Sequence, residues 1–128
     1  LQIGANLLER FDDDGLVVIV AHELAHVVLR HGDRLVAAGA HRGLLGEFGR
    51  SARLAREAED EADRFSARLL ANAGYDPQLA VRFWQGPGRS LDAGLLRDSA
   101  HSAPSRRAAN IAAEIARLAA GGNAAAIP

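Results

Sequence analysis

Residues 16–30 read LVVIVAHELAHVVLR, an apolar run interrupted by two histidines, a glutamate and a closing arginine. Apolar side chains on almost every side of such a segment are typical of a helix buried at the centre of a domain. Three aspartates and a glycine precede it at 12–15, and aspartates suit the cap and first turn of a helix. The sequence therefore predicts a buried central helix over 16–38.

The middle of this helix contains His22, Glu23 and His26 in an HExxH pattern. The i, i+4 spacing places both imidazoles on one face about one turn apart, so both can reach one zinc ion at roughly 2.0–2.1 Å. Glu23, beside the first ligand, is suited to act as general base toward a zinc-activated water. The alternative is a pair of core histidines with a partner glutamate, but burying such groups without a ligand is costly.

A catalytic zinc site normally has a third protein ligand. The HExxHxxGxxH arrangement is excluded, because Leu29 and Gly32 occupy the positions that it reserves for glycine and histidine. The chain has no cysteine, so the third ligand must be a histidine or a carboxylate. The richest source of carboxylates is REAEDEAD, residues 56–63, within a second helix predicted over 51–73.

Helical phase separates the acidic side chains of this second helix. Glu59 shares its face with small residues that allow close approach to another helix, so it is the predicted third metal ligand. Asp63, one turn later, is predicted to accept the second N–H of a liganding histidine. The alternative is that Glu59 and Asp63 are ordinary acids of a helix surface. The other charged residues form a face predicted to be solvated: Arg53, Glu57, Glu61, Arg64 and Arg68.

The composition limits the class of protein. A chain of 128 residues fits one domain, and its 48% hydrophobic and 5% aromatic residues favour closely packed helices. A net charge of -1 offers no field for binding nucleic acid, and no apolar stretch is long enough for a membrane span. We therefore expect a mainly α, compact single domain over 1–128, with further helices at 78–85 and 104–120. A short edge strand is considered at residues 1–4, within an N-terminal segment over 1–15.

HExxH followed on a later helix by ExxxD, here Glu59 to Asp63 within EDEAD, resembles a known pattern. It is similar to the gluzincin metalloproteases that include the CAAX prenyl protease, the heat-shock membrane protease HtpX and periplasmic outer-membrane quality-control proteases. The likeness extends to the AGYDP turn at 73–77. It implies a compact zincin-like helical core.

The resemblance also implies an activity and a site. It implies a zinc-dependent endopeptidase acting on protein or peptide substrates, with a role in protein quality control. His22, His26 and Glu59 would bind Zn2+, Glu23 would be the general base, and Asp63 would support the ligands. The bacterial periplasm or cell envelope is favoured over the cytoplasm.

A weaker part of the resemblance concerns AHSAPSRR at 100–107. The family often has a Thr-His-Pro triplet followed by an arginine, and this chain lacks the His-Pro pair. By the resemblance, His101 would approach the metal or stabilise the oxyanion, and Arg107 would bind substrate or support the site. The alternative is a loop histidine and an arginine at a helix start. His31, whose helical phase differs from that of the ligands, is interpreted as structural, and His41 as a surface residue.

Two other functions are compatible with the sequence. A zinc-protease scaffold with weak or no activity would bind unfolded or unassembled proteins, using Phe83, Trp84 and the glycine-rich loops as a surface, although aromatics at that spacing are more often core. A structural zinc domain would have a closed four-ligand shell and would unfold when the metal is removed. The sequence leaves the oligomeric state undefined.

Overall fold

Helices make up the regular structure of the protein. The computed structural model describes residues 5–39, 49–92 and 102–121, and this part of the chain contains no strand. The predicted mainly α class is therefore confirmed, while the strand considered at 1–4 lies outside the described residues. The helices are α1 (Ala5–Arg10), α2 (Asp13–Val28), α3 (His31–Ala37), α4 (Arg50–Asn72), α5 (Gln78–Gln85), α6 (Arg89–Asp92) and α7 (Pro104–Ala119).

Local signals set the helix boundaries. The side chain of Asp12 caps α2 by accepting a hydrogen bond from the backbone N–H of Gly15 at 2.9 Å. Gly74, with a φ of 83°, follows α4 in the left-handed conformation that favours glycine. Pro104 opens α7, where its missing N–H costs no helical hydrogen bond. Helices α4, α5 and α7 coincide to within one residue with the helices predicted over 51–73, 78–85 and 104–120.

The prediction of one continuous helix over 16–38 is wrong, because this region forms two helices, α2 and α3, bent by 45°. Between them Arg30 adopts left-handed backbone angles, φ 53° and ψ 39°, which cost about 1–3 kcal/mol for a non-glycine residue. Its guanidinium donates hydrogen bonds to Asp33 at 2.8 and 3.0 Å. No glycine or proline stands at this position, so the sequence carries no conventional signal for the break.

No single helix in the described part of the chain is long and apolar enough to cross a membrane. The helices α2 and α3 reach that length and hydropathy only when they are taken together across their bend.

The core lies between α2, α4, α5 and α7. Helix α2 packs along α4, α5 packs along α7, and α4 also contacts α7. Where α2 meets α4, Ala25 and Ala62 are fully buried beside Phe65. Such small side chains let two helix backbones approach closely, which brings Glu59 of α4 within reach of the histidines of α2. The main apolar cluster comprises Val18, Ile19, Ala21, Ala67, Leu70, Ala80, Val81, Phe83, Trp84, Leu91, Ala108 and Ile111.

An ion pair joins α4 to α7. Glu114 of α7 is buried and accepts hydrogen bonds from Arg68 of α4 at 2.6 Å and from Arg117 at 2.8 Å. The prediction that Arg68 belongs to a solvated charged face is therefore wrong, because Arg68 contacts another helix. The hydrogen bond from Arg117 lowers the pKa of Glu114; burial opposes this and Arg68 reinforces it, so the pKa lies below its usual 4.5.

Replacing Glu114 with glutamine should destabilise the fold by about 1.5–3 kcal/mol at pH 7, because hydrogen bonds to a charged group are lost. Since the folded-state pKa is the lower one, the ionised carboxylate stabilises the fold above about pH 4.5, and this contribution is lost as the pH falls through the folded-state pKa. We therefore expect the difference in free energy of unfolding between wild type and variant, measured with urea, to be smaller at about pH 3.5 than at pH 7.

The matched control is Glu57→Gln, at an exposed i, i+4 pair with Arg53. It should change stability by less than about 0.5 kcal/mol at either pH. If Glu114→Gln lowers the free energy of unfolding equally at both pH values, the ionised carboxylate of Glu114 is not the stabilising group.

Candidate metal centre

Three side chains that can bind a metal meet where α2 packs against α4. The Nε2 atoms of His22 and His26 are 3.1 Å apart, and carboxylate oxygens of Glu59 lie 3.3 Å from each of them. Ligands bound tetrahedrally at about 2.0–2.1 Å, as zinc binds, are roughly 3.3 Å from one another. The spacing therefore fits one small metal ion. These are the three residues that the sequence singled out.

The contacts at the Nδ1 atoms of the two histidines suit a metal bound at their Nε2 atoms. Nδ1 of His22 lies 3.1 Å from the carboxylate of Asp63, to which it can donate. Nη2 of Arg107, which is only a donor, lies 3.0 Å from Nδ1 and 3.1 Å from Nε2 of the same ring. Nδ1 of His26 lies 2.9 Å from Nδ1 of His31 and can donate in the same way. These tautomers are assigned from the hydrogen-bond partners. Two lone pairs and a carboxylate then face one another, an arrangement that a cation stabilises.

Asp63 is completely buried and contacts both His22 and Arg107. Its carboxylate accepts hydrogen bonds from Arg107, from Nη2 at 2.7 Å and from Nε at 3.0 Å. Burial alone would raise the pKa of Asp63, but the hydrogen bond from His22 and the positive charge of Arg107 hold it below its usual value. Burial would lower the pKa of His22, yet hydrogen bonds to Asp63 and Glu59 raise it overall. An ionised Asp63 therefore favours a proton on Nδ1 of His22.

Arg107 is buried rather than presented to solvent. Its guanidinium carbon lies 3.6 Å from the centre of the Trp84 ring, in a cation–π arrangement, and Nη2 is 3.0 Å from Nδ1 of His22. Of the two roles considered for Arg107, this position favours support of the site over substrate binding. Trp84 and Phe83 are each 5% exposed. The structure therefore contradicts the suggestion that these two aromatics form a binding surface.

Asp60 is a buried acid that sequence reasoning missed. It accepts hydrogen bonds from Ser102, Arg106 and Asn110 at 3.0, 2.6 and 2.9 Å, and these contacts fasten the start of α7 to α4. Its partners lie 42 to 50 residues later in the chain, so no local pattern indicates the contact. His101, which precedes Ser102, lies outside the described residues, as does His41.

His31, interpreted from the sequence as structural, lies next to the centre. Its ring is buried, its Nε2 is 3.2 Å from Glu61, and Arg34 donates to the same carboxylate oxygen at 2.9 Å. Burial lowers the pKa of His31, and the charge of His26 adds to this. Burial would raise the pKa of Glu61, but hydrogen bonds from Arg34 and His31 bring it below its usual value. The phase prediction assumed one continuous helix, whereas the turn between α2 and α3 brings this ring back to His26.

The solvent-facing side of α2 carries a carboxylate and two apolar side chains. Glu23 is exposed, whereas the adjacent His22 is buried. Leu24 and Val27 are 41% and 58% exposed. An exposed carboxylate that follows a buried candidate metal ligand in the chain is suited to reactions with molecules that arrive from solvent.

Comparison with known proteins supports a metallopeptidase. The chain is 32% identical over 91 residues to the mitochondrial metalloendopeptidase OMA1 of Schizosaccharomyces pombe, an alignment that covers 57% of this chain and 27% of that protein. No family model and no solved structure matches the chain. The chain thus spans about a quarter of the length of this relative. The partial similarity and the His–His–Glu cluster together support a metalloprotease family and a metal-binding site.

Proposed function

We propose that this chain is a zinc-dependent endopeptidase domain in which His22, His26 and Glu59 hold the ion and Glu23 is the general base. The observation that carries the proposal is the convergence of two Nε2 atoms and a carboxylate within 3.1–3.3 Å, with Glu23 next to His22 in the chain. The partial similarity to a metalloendopeptidase supports the reaction class. Two imidazoles and a carboxylate are a ligand set that suits zinc.

A zinc ion held by these groups would lower the pKa of a bound water and polarise the scissile carbonyl. The exposed carboxylate of Glu23 would take the proton from the attacking water and pass it to the leaving amine nitrogen. Asp63 would keep His22 in the tautomer that leaves its Nε2 lone pair available, and Arg107 would hold Asp63 in place.

His101, which lies outside the described residues, is proposed to stabilise the oxyanion on the resemblance of residues 100–107 alone. Three protein ligands leave the fourth position of a tetrahedral zinc ion for the reaction. The cluster has three members among the described residues, and an open fourth position would suit a catalytic site. We further propose that the substrates are unfolded or unassembled proteins and that the chain works in the bacterial envelope.

Replacing Glu59 with alanine should remove zinc from the protein. Elemental analysis of the wild type after incubation with zinc and desalting should give about one zinc per chain. Loss of an outer partner of a ligand costs about 10–100-fold in affinity, so loss of a ligand should cost more than about 100-fold. The matched control is Glu57→Ala, at an exposed acid of the same helix, which should retain zinc.

The same preparations test the reaction. Wild type should cleave fluorescently labelled casein, an unfolded protein, and a chelator should stop the cleavage. A wild-type chain that takes up no zinc would contradict the metal site. A zinc-loaded chain that leaves casein and other unfolded proteins intact would contradict the endopeptidase and favour a binding module.

A further inference from the structure

We infer that His31 and Glu61 form a hydrogen-bonded chain that holds the ring of His26 in the orientation and tautomer that metal binding needs. The inference rests on the proposed metal site and adds two positioning residues to it. Neither residue belongs to the cluster in which His22, His26 and Glu59 meet, and His31 contacts His26 at Nδ1 rather than at Nε2.

The chain of contacts is continuous from the carboxylate to the metal ligand. An oxygen of Glu61 lies 3.2 Å from Nε2 of His31, and Nδ1 of His31 lies 2.9 Å from Nδ1 of His26. The rings of His31 and His26 meet edge to face, with centroids 4.8 Å apart. Arg34 donates to the same oxygen of Glu61 at 2.9 Å and fixes that end.

The number of hydrogen-bond donors on each ring determines which group donates and which accepts in these contacts. If Nε2 of His26 is to bind a metal, its lone pair must be available and the ring proton must be on Nδ1. Nδ1 of His31 must then accept that proton's hydrogen bond, so the proton of His31 is on Nε2. Nε2–H in turn donates to the carboxylate of Glu61. Each contact in this scheme has one donor and one acceptor, and reversing any one of them would place a proton on Nε2 of His26.

The two liganding histidines are thereby supported in different ways. His22 donates directly to a buried carboxylate, Asp63, at 3.1 Å. His26 reaches its carboxylate, Glu61, through the intervening ring of His31. Outer partners of this kind fix the ring orientation of a liganding histidine and raise its basicity.

The backbone provides a second, independent observation. His31 takes its position because Arg30, immediately before it, adopts the left-handed conformation. Strain of this kind persists where the surrounding structure requires it, and it clusters at functional sites. Here the strained turn is the element that folds α3 back and places a buried imidazole against His26. Ordinary helix continuation would carry residue 31 away from that ring, since it is five positions beyond residue 26.

Two substitutions of His31 separate its roles. The side-chain oxygen of asparagine occupies the position of Nδ1, whereas the terminal amide of glutamine extends to the position of Nε2. His31→Asn should still accept from His26 and keep zinc affinity within about threefold of wild type. His31→Gln should contact Glu61 but not His26, and its affinity should fall about 10–100-fold. Zinc affinity is measured by competition with a chromophoric chelator, and circular dichroism verifies that each variant folds.

Glu61→Ala offers a variant that does not depend on the buried position, because Glu61 is half-exposed. Its zinc affinity should fall about three- to tenfold, against no change in the exposed control Glu57→Ala. If Asn and Gln at position 31 bind zinc as tightly as wild type, the inference is wrong.

The tautomers can be observed in the unaltered chain. Nitrogen-15 spectra of the zinc-loaded wild type should show protonated Nδ1 on His26 and protonated Nε2 on His31. A proton on Nδ1 of His31 instead of Nε2, or a doubly protonated His31, would overturn the inference while leaving the zinc site in place. Failure of the metal site itself would be distinguished by the absence of zinc from wild type as well as from every variant.

Discussion

Replacing Glu23 with glutamine should abolish peptide hydrolysis while zinc binding and stability stay unchanged. General-base catalysis contributes about 10²–10⁴-fold, so kcat/KM on labelled casein should fall by that factor. The residue is exposed and stands outside the His22, His26 and Glu59 cluster. The zinc content should therefore remain about one per chain, and the free energy of unfolding should change by less than about 0.5 kcal/mol.

The control for this variant is Glu57→Gln, an equally conservative change at another exposed glutamate. It should keep full activity. Hydrolysis by Glu23→Gln within tenfold of the wild-type rate, with zinc bound, would assign the proton transfer to another group.

Replacing Asp63 with alanine should cause the largest loss of stability of any substitution considered for this protein. Asp63 is fully buried, and its removal takes away the nearest counter-charge of the buried guanidinium of Arg107, leaving the carboxylate of Glu59 at 4.0 Å. Breaking a buried pair in this way costs about 3–5 kcal/mol, against a total stability of about 5–15 kcal/mol for a domain. The loss is measured by urea unfolding, followed by circular dichroism.

A double variant separates the cost of an isolated charge from the value of the pair. Adding Arg107→Met to Asp63→Ala removes the unpaired cation and keeps an unbranched side chain against Trp84. The double variant should be more stable than Asp63→Ala alone, because an apolar replacement of both partners is less costly than an orphaned charge. Equal stability of the two would show that Arg107 is not the group that Asp63 neutralises.

The local part of the centre could be predicted from the sequence. The i, i+4 spacing of His22 and His26 follows from helix geometry alone. Glu59 could be chosen among several acids because its neighbours on the helix are small, and Ala62 is indeed fully buried against α2. The ends of α4, α5 and α7 follow from Gly74 and from the proline-rich and glycine-rich breaks that sequence makes visible.

The parts that could not be predicted depend on contacts between distant residues or on an unmarked backbone turn. Arg30 adopts a left-handed conformation that is usual for glycine or asparagine, so its residue type gives no sign of the turn. Without the turn, the position of His31 beside His26 could not be predicted. Asp60 and Trp84 bind partners on α7 that no spacing within their own helices reveals. Helix periodicity predicts which face of a helix is buried, but it does not predict which residues of another helix contact that face.

The five residues from Glu59 to Asp63 connect α4 to three other helices at once. Their four acids bind, in chain order, the histidines of α2, the start of α7, His31 with Arg34 of α3, and Arg107 of α7. A single-residue insertion or deletion just before this stretch would rotate it by about 100° and break all four connections together. Related sequences should therefore tolerate exchanges of individual side chains there, but not a change of length. The effects of paired exchanges within the stretch should depart from additivity.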